Sequence, residues 1–336
     1  MKVITFGEML LRLTTANDQR FYQANKLDVY YGGAEANLAI SLANFGFEVD
    51  YVSRLPDHFI GEAAIRYLAS HQVGTNQILR GGERLGTYYV EAGIGNRSSA
   101  VTYDRKFSSF ATVDPGVFDW NMIFEGADVF HTTGITLALS SSLRQITKQA
   151  MQAAKEKGMT VSFDFNYRSK LWSQKEASQA IQEVLPYVDM AFCNHMDAIY
   201  LLGIDEALEQ WDGRRKLQYY YQQIQEKFPS IQIFASTKRE VVSTSKHYLQ
   251  GNFYINDELY QTSSFAIEPV IDRIGGGDAY AAGILTGHLN GWRPEKIVSF
   301  ATSAAVLKHT IKGDGNAFSS FEVEQFQENM GQEIKR

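Results

Sequence analysis

The stretch Ile271-Asp272-Arg273-Ile274-Gly275-Gly276-Gly277-Asp278 sets three consecutive glycines against a carboxylate. A helix rich in small residues is expected directly after it, over 279–289. The first amides of a helix lack internal partners, and the helix macrodipole is positive there. Glycines let the backbone approach an anion closely and turn several N–H groups toward it. Such a nest can stabilise the equatorial oxygens of a phosphoryl group in transfer. A carboxylate beside it, here Asp278, can accept the proton of an attacking hydroxyl. The string alone leaves a second reading open: a glycine-rich entry loop whose Asp278 only caps the helix. Other nucleotide motifs are absent. There is no Gly-Lys pair for a Walker A loop and no His-Arg-Asp. Gly93-Ile94-Gly95 lacks the third glycine of a dinucleotide fingerprint.

The elements that must position this loop alternate along the chain. Short apolar strands are expected over 2–6, 49–53, 129–131, 160–165, 188–192 and 231–235. Ala36, Ala39, Ile40 and Ala43 recur at helical spacing and stop at Gly46; Ile60, Ala64 and Leu68 mark a second helix. Ser173 and Glu176 form a capping box for a helix running to about 185. Pro294 and Glu295 suit the first turn of a last long helix. This rhythm predicts βαβ units and a mostly parallel sheet covered on both faces. Residues 10–31 and 86–110 break it with alternating polar, apolar and aromatic residues. They are expected to form antiparallel strands outside the main sheet, as a lid or as a mere edge extension. No linker or repeat divides the chain, so a single domain over 1–336 is expected.

Composition sets the limits. The chain has 336 residues, 44% of them hydrophobic, enough for a large core. A net charge of −6 disfavours nucleic acid or an anionic membrane as partner. The single cysteine, Cys193, allows no intrachain disulfide and is expected to be a small buried apolar residue. Glu8 and Arg12 interrupt the N-terminal apolar stretch, which lacks a signal-peptide core, and no apolar run reaches membrane-spanning length. A cytoplasmic protein is expected.

With those residues in place, the chain resembles the ribokinase-type (PfkB) sugar kinases over nearly its whole length. The likeness rests on Gly32-Gly33-Ala34-Glu35-Ala36-Asn37, Gly134-Ile135-Thr136-Leu137, Asp164-Phe165-Asn166-Tyr167-Arg168-Ser169-Lys170-Leu171-Trp172 and the Asp272–Asp278 stretch. Asp-Arg-x-Gly-Gly-Gly-Asp and Asn-Tyr-Arg-x-Lys-Leu-Trp point to the branch of the family acting on 2-keto-3-deoxygluconate. Ribokinases and fructokinases typically carry Asp-Thr-x-Gly-Ala-Gly-Asp instead. The resemblance implies a ribokinase-like three-layer α/β/α fold with a small β-sheet lid. It implies ATP with Mg²⁺ as phosphoryl donor and transfer to a terminal sugar hydroxyl, giving the 6-phosphate. Asp278 would be the base and the amides of Gly275, Gly276 and Gly277 the anion hole. The lid strands would also form a homo-oligomer interface.

Other residues take candidate roles beside it. Gly33 admits a polyol closely, and Asn37 offers both donor and acceptor to hydroxyls. An acid sugar needs cations, for which Arg168 and Arg105 are the candidates. Tyr89 and Tyr103 can donate hydroxyls, although tyrosine is common in strands. Asp314 is a candidate for contact with substrate or the adenine surroundings; as bare sequence it is a turn. On the ATP side stand Asn166, Asn194, Ser236 and Lys238. The segment 235–240 lacks the glycines that many relatives place against the nucleotide. Asp197 stands where the family has Glu, either organising Mg²⁺ through water or serving as a helix N-terminal acid. A neutral-sugar kinase and a non-catalytic sugar or nucleotide sensor are the alternatives.

Overall fold

β-branched and aromatic runs buried on both faces form the main sheet. The computed structural model describes residues 1–329; the end of the expected 1–336 domain lies outside them. In chain order the strands are β1 (Lys2–Phe6), β2 (Leu10–Thr14), β3 (Asp28–Gly32), β4 (Glu48–Leu55), β5 (Ile78–Arg80), β6 (Gly86–Glu91) and β7 (Ala100–Asp104). There follow β8 (Val129–Thr133), β9 (Thr160–Asp164), β10 (Met190–Phe192), β11 (Ile233–Ser243), β12 (Lys246–Ile255), β13 (Glu258–Gln261) and β14 (Phe265–Ile267). Ten strands make one sheet in the order β13-β12-β11-β10-β9-β8-β1-β4-β5, with β14 also on β12. From β11 to β5 every pairing is parallel; β12, β13 and β14 add an antiparallel edge.

Strand alternation splits the core into two apolar layers. Ile4 and Phe130 face one layer, with helices Ser141–Glu156, Gln174–Val184 and Gly213–Lys227. Val3 and Val129 face the other, with helices Ala34–Asn44, Gly276–Leu289 and Pro294–Lys308. The result is the expected three-layer α/β/α sandwich. Cys193 is buried in the first layer. Ser173 and Glu176 do cap their helix reciprocally, at 3.0 and 3.3 Å. Among the described residues, no helix is long and apolar enough to cross a membrane.

Two local expectations need revision. β11 runs well beyond 231–235, because β12 pairs back along it from Ile233↔Ile255 to Ser243↔Lys246. Such a hairpin is stabilised by a partner strand that local apolar content does not reveal. The small sheet, ordered β3-β2-β6-β7, is not purely antiparallel. β2 and β6 lie parallel, Leu10 opposite Gly86. The reason is topological: β2 follows core strand β1 directly and β6 follows β5, so both leave the same end of the sheet. The Thr244 hydroxyl at the hairpin tip donates to the Gly95 carbonyl of the small-sheet loop at 2.8 Å.

Candidate active site

Parallel strands leave a crevice beyond their carboxyl ends. Here a cavity of about 740 Å³ lies there, walled by Glu8 after β1, Ile135 after β8, Asp164 and Arg168 at the end of β9, and Asn194 after β10. Leu10, Tyr88, Val101 and Tyr103 of the small sheet cover it.

The glycine loop forms one corner of the cavity. The helix begins at Gly276, earlier than the expected 279, with Gly275 as its N-cap. Gly275 has φ +83°, and a Cβ there would stand 1.9 Å from the Asp314 carbonyl oxygen, so only glycine fits. A Cβ on Gly277 would meet nothing within 4 Å. Among the described residues the N–H groups of Gly277 and Asp278 have no hydrogen-bond partner. Asp272 holds the loop: one oxygen accepts from Ile274 N at 3.1 Å, the other from Gly313 N at 3.2 Å.

Asp278 occupies the first helical turn at the cavity wall. One oxygen accepts from Asn37 Nδ2 at 2.7 Å. The Asn37 oxygen in turn accepts from Gly33 N at 3.4 Å, which orients the amide. Burial pushes the Asp278 carboxyl up to about 7, while the Asn37 bond and the Arg168 charge pull it down. Asp164 is pushed up to about 8, first by burial and then by the Asp278 charge. Its Oδ1 accepts from Asn166 N at 2.9 Å.

Two buried ion clusters anchor the small sheet over this corner. Arg12 of β2 sits 2.7 Å from both Asp272 and Asp314. The Tyr88 hydroxyl of β6 donates to the second Asp314 oxygen. Arg105, after β7, pairs with Glu8, which also accepts from Ser108. Another buried acid, Glu35, accepts from the Thr133 backbone and from the hydroxyls of Thr133 and Thr136 at 2.8–3.1 Å. Arg168, Arg239 and Arg273 line the cavity as well, and among the described residues none of the three has an acidic partner. After burial, the charges of Arg273 and Arg168 lower the Arg239 pKa, so the three lie close together.

The structure thus gathers Gly33, Asn37, Tyr103, Arg105 and Arg168 around Asp278 and Gly275–Gly277. Asn166, Asn194 and Asp314 also line the cavity, although both Asp314 oxygens are already engaged. Other candidates lie elsewhere. Tyr89 is on the opposite face of the small sheet, its ring 6.0 Å from Phe21; its neighbour Tyr88 faces the cavity. Ser236 is bonded to the Tyr221 hydroxyl at 2.8 Å and to Asn252 at 3.2 Å. Lys238 is exposed, its charge felt by His195. Strand alternation instead turns Thr237 and Arg239 toward the cavity. Asp197 closes a capping box, accepting from Asn194 N at 2.9 Å, and burial pushes it up to about 6. Among the described residues no cluster of three His, Cys, Asp or Glu is set to hold a metal. Arg12 and Glu8 were visible in the sequence only as charges inside an apolar run, the signal of buried pairs.

Fold and cavity define a ribokinase-like kinase: a three-layer α/β/α sandwich with a buried carboxylate, Asp278, at a glycine-capped helix. Residues 1–320 match the model of the pfkB family carbohydrate kinases, and the chain belongs to that family. It is 40% identical to a PfkB family carbohydrate kinase from Listeria grayi, with a TM-score of 0.93 over 97% of this chain and 99% of that one. It is 37% identical to the 2-dehydro-3-deoxygluconokinase of Thermotoga maritima, with a TM-score of 0.94 over 98% and 99% of the two chains. A curated relative, the 2-dehydro-3-deoxygalactonokinase of Haloferax volcanii, is 29% identical over 96% of each chain.

Four tests follow from the loop and its acid. Gly275→Ala should lower unfolding stability by roughly 1–3 kcal/mol in denaturant titration. Gly277→Ala should leave the melting midpoint unchanged while its methyl enters the open corner and lowers turnover. If Asp278 is the proton acceptor it must be ionised, so kcat/KM should fall as pH drops below about 7. Asn37→Ala removes a donor that favours the carboxylate, and a pH–rate profile should show this limb moving to higher pH.

Proposed function

We propose that the chain is an ATP-dependent kinase that phosphorylates the terminal hydroxyl of 2-keto-3-deoxygluconate to the 6-phosphate. One observation carries the reading: a carboxylate poised near neutrality shares a cavity with unpaired N–H groups and three unmatched guanidiniums. The acid-sugar names of the Thermotoga and Haloferax relatives support the substrate class.

In this reading the sugar hydroxyl attacks the terminal phosphorus of ATP and passes its proton to Asp278, the bond from that phosphorus to the bridging oxygen breaks, and ADP leaves. The Gly275–Gly277 amides receive the charge developing on the phosphoryl oxygens. Asn37 orients Asp278 and keeps it ionised. Arg168 takes the sugar carboxylate, and the Arg105 Nη1, free of the Glu8 pair, and the Tyr103 hydroxyl complete that end. Asp314 shapes the substrate wall through Tyr88. Asn166, Asn194, Thr237 and Arg239 lie along the ATP side, in place of Ser236 and Lys238. Mg²⁺ would neutralise charge on the ATP phosphates. Such an ion keeps most of its waters, so the free Asp197 oxygen suits a water-mediated contact. The small sheet acts as the lid of a single kinase domain. Its outer face, where Leu13 stands opposite Val29 and Tyr89 and Val29 is 56% exposed, is the surface for self-association.

Turnover on 2-keto-3-deoxygluconate, fructose and ribose tests the assignment. The acid sugar should dominate, and Asp278→Asn should lower its kcat by about 10²–10⁴. Equal turnover of fructose would indicate a neutral-sugar kinase; no ADP release with any acceptor would indicate a sensor. Val29→Asp should shift the protein toward monomer in sedimentation velocity; an unchanged assembly would exclude this face.

A further inference from the structure

The helix Pro294–Lys308 ends in a lysine with no exposed surface. Among the described residues the Lys308 Nζ has no hydrogen-bond partner and no ion pair within 4 Å. A buried unpaired ammonium is costly and is retained where its charge is used. Its place is specific. The Lys308 Cε lies 3.3 Å from the point where a Gly275 Cβ would stand, directly behind the glycine loop. Asp272 of the loop, Asp314 of the following turn and Asp278 of the facing helix attract its charge; Arg12 of β2 and the adjacent His309 oppose it. Arg12 is already shared between Asp272 and Asp314, and Tyr88 is bonded to Asp314. The field of Lys308 is therefore not consumed by a contact.

We propose that Lys308 is a positioning residue of the phosphoryl-transfer site, a buried cation behind the Gly275–Gly277 loop that makes the loop an anion hole and holds Asp278 ionised. This rests on the kinase reading above. The loop N–H groups open on the cavity side, and Lys308 stands on the other, so both present positive potential to the same oxygens. In a poorly solvated site, a charge behind a loop acts across several ångströms. Burial lowers the Lys308 pKa while the three carboxylates hold it up, so the ammonium is lost at alkaline pH before an exposed lysine would be.

Lys308→Met in the full chain tests this. It should lower kcat by at least about tenfold, leave the sugar KM within about threefold and move the acidic limb of kcat/KM to higher pH. The alkaline limb of the wild type should disappear. The melting midpoint should hold or rise, since Met removes an unpaired buried charge. Lys308→Gln gives the same readouts if the Met variant does not fold. Unchanged kcat, or a fall in kcat with no movement of either limb, would overturn the proposal and leave Lys308 a packing residue. If the wild type transfers phosphate to no acceptor, the kinase reading fails, and calorimetry with tripolyphosphate decides this proposal separately. At least tenfold weaker binding by the Met variant supports it, and equal binding overturns it.

Discussion

The Arg12 guanidinium, held between Asp272 and Asp314, is the contact on which the site depends. It joins residues 302 positions apart and fixes three pieces at once: strand β2 of the small sheet, the glycine loop and the C-terminal turn. Asp272 passes the constraint on by accepting from Ile274 and Gly313, which fixes the entry to Gly275. Asp314 passes it to Tyr88 and so to β6. Losing the cation would leave two buried carboxylates uncompensated, a cost of roughly 3–5 kcal/mol. The cover and the glycine loop are therefore tied to each other.

Within that frame the cavity is electrostatically incomplete. Asp278 and Asp164 are both pushed toward the neutral form by burial, while among the described residues Arg168, Arg239 and Arg273 have no acidic partner. In the proposed reading, a ligand carrying carboxylate and phosphate charge supplies what is missing to the guanidiniums. Ligand-free, the two acids favour the protonated folded state. Their folded pKa values lie above the ordinary carboxylate range, so stability from this source is full at acidic pH and is lost as pH rises through about 7 to 8. An anion bound at Arg168 neutralises the charge that lowers the Asp278 pKa, so anion binding and Asp278 ionisation oppose each other.

The layer architecture was legible because period-2 and period-3.6 patterns are local. The glycine loop was legible because backbone chemistry at a helix start needs few partners. What escaped was parity and long-range pairing. Tyr88 and Tyr89 are adjacent aromatics, and only the register of β6 on β2 decides that Tyr88 faces inward. The same parity separates Ser236 from Thr237 on β11. Arg12 and Glu8 stood out as charges in an apolar run, yet their surroundings, like those of Lys308, are assembled by the fold. The length of β11 depended on β12, which local propensity could not supply.

The central claim is that cavity charge selects an acid sugar for transfer onto its far hydroxyl. The most direct test is calorimetric binding of 2-keto-3-deoxygluconate and of the same sugar with its carboxylate reduced to an alcohol, in wild type and Arg168→Ala. The account predicts at least about tenfold tighter binding of the acid, a gap that closes with added salt and shrinks in the variant. Equal affinity for the two sugars in the wild type would contradict it.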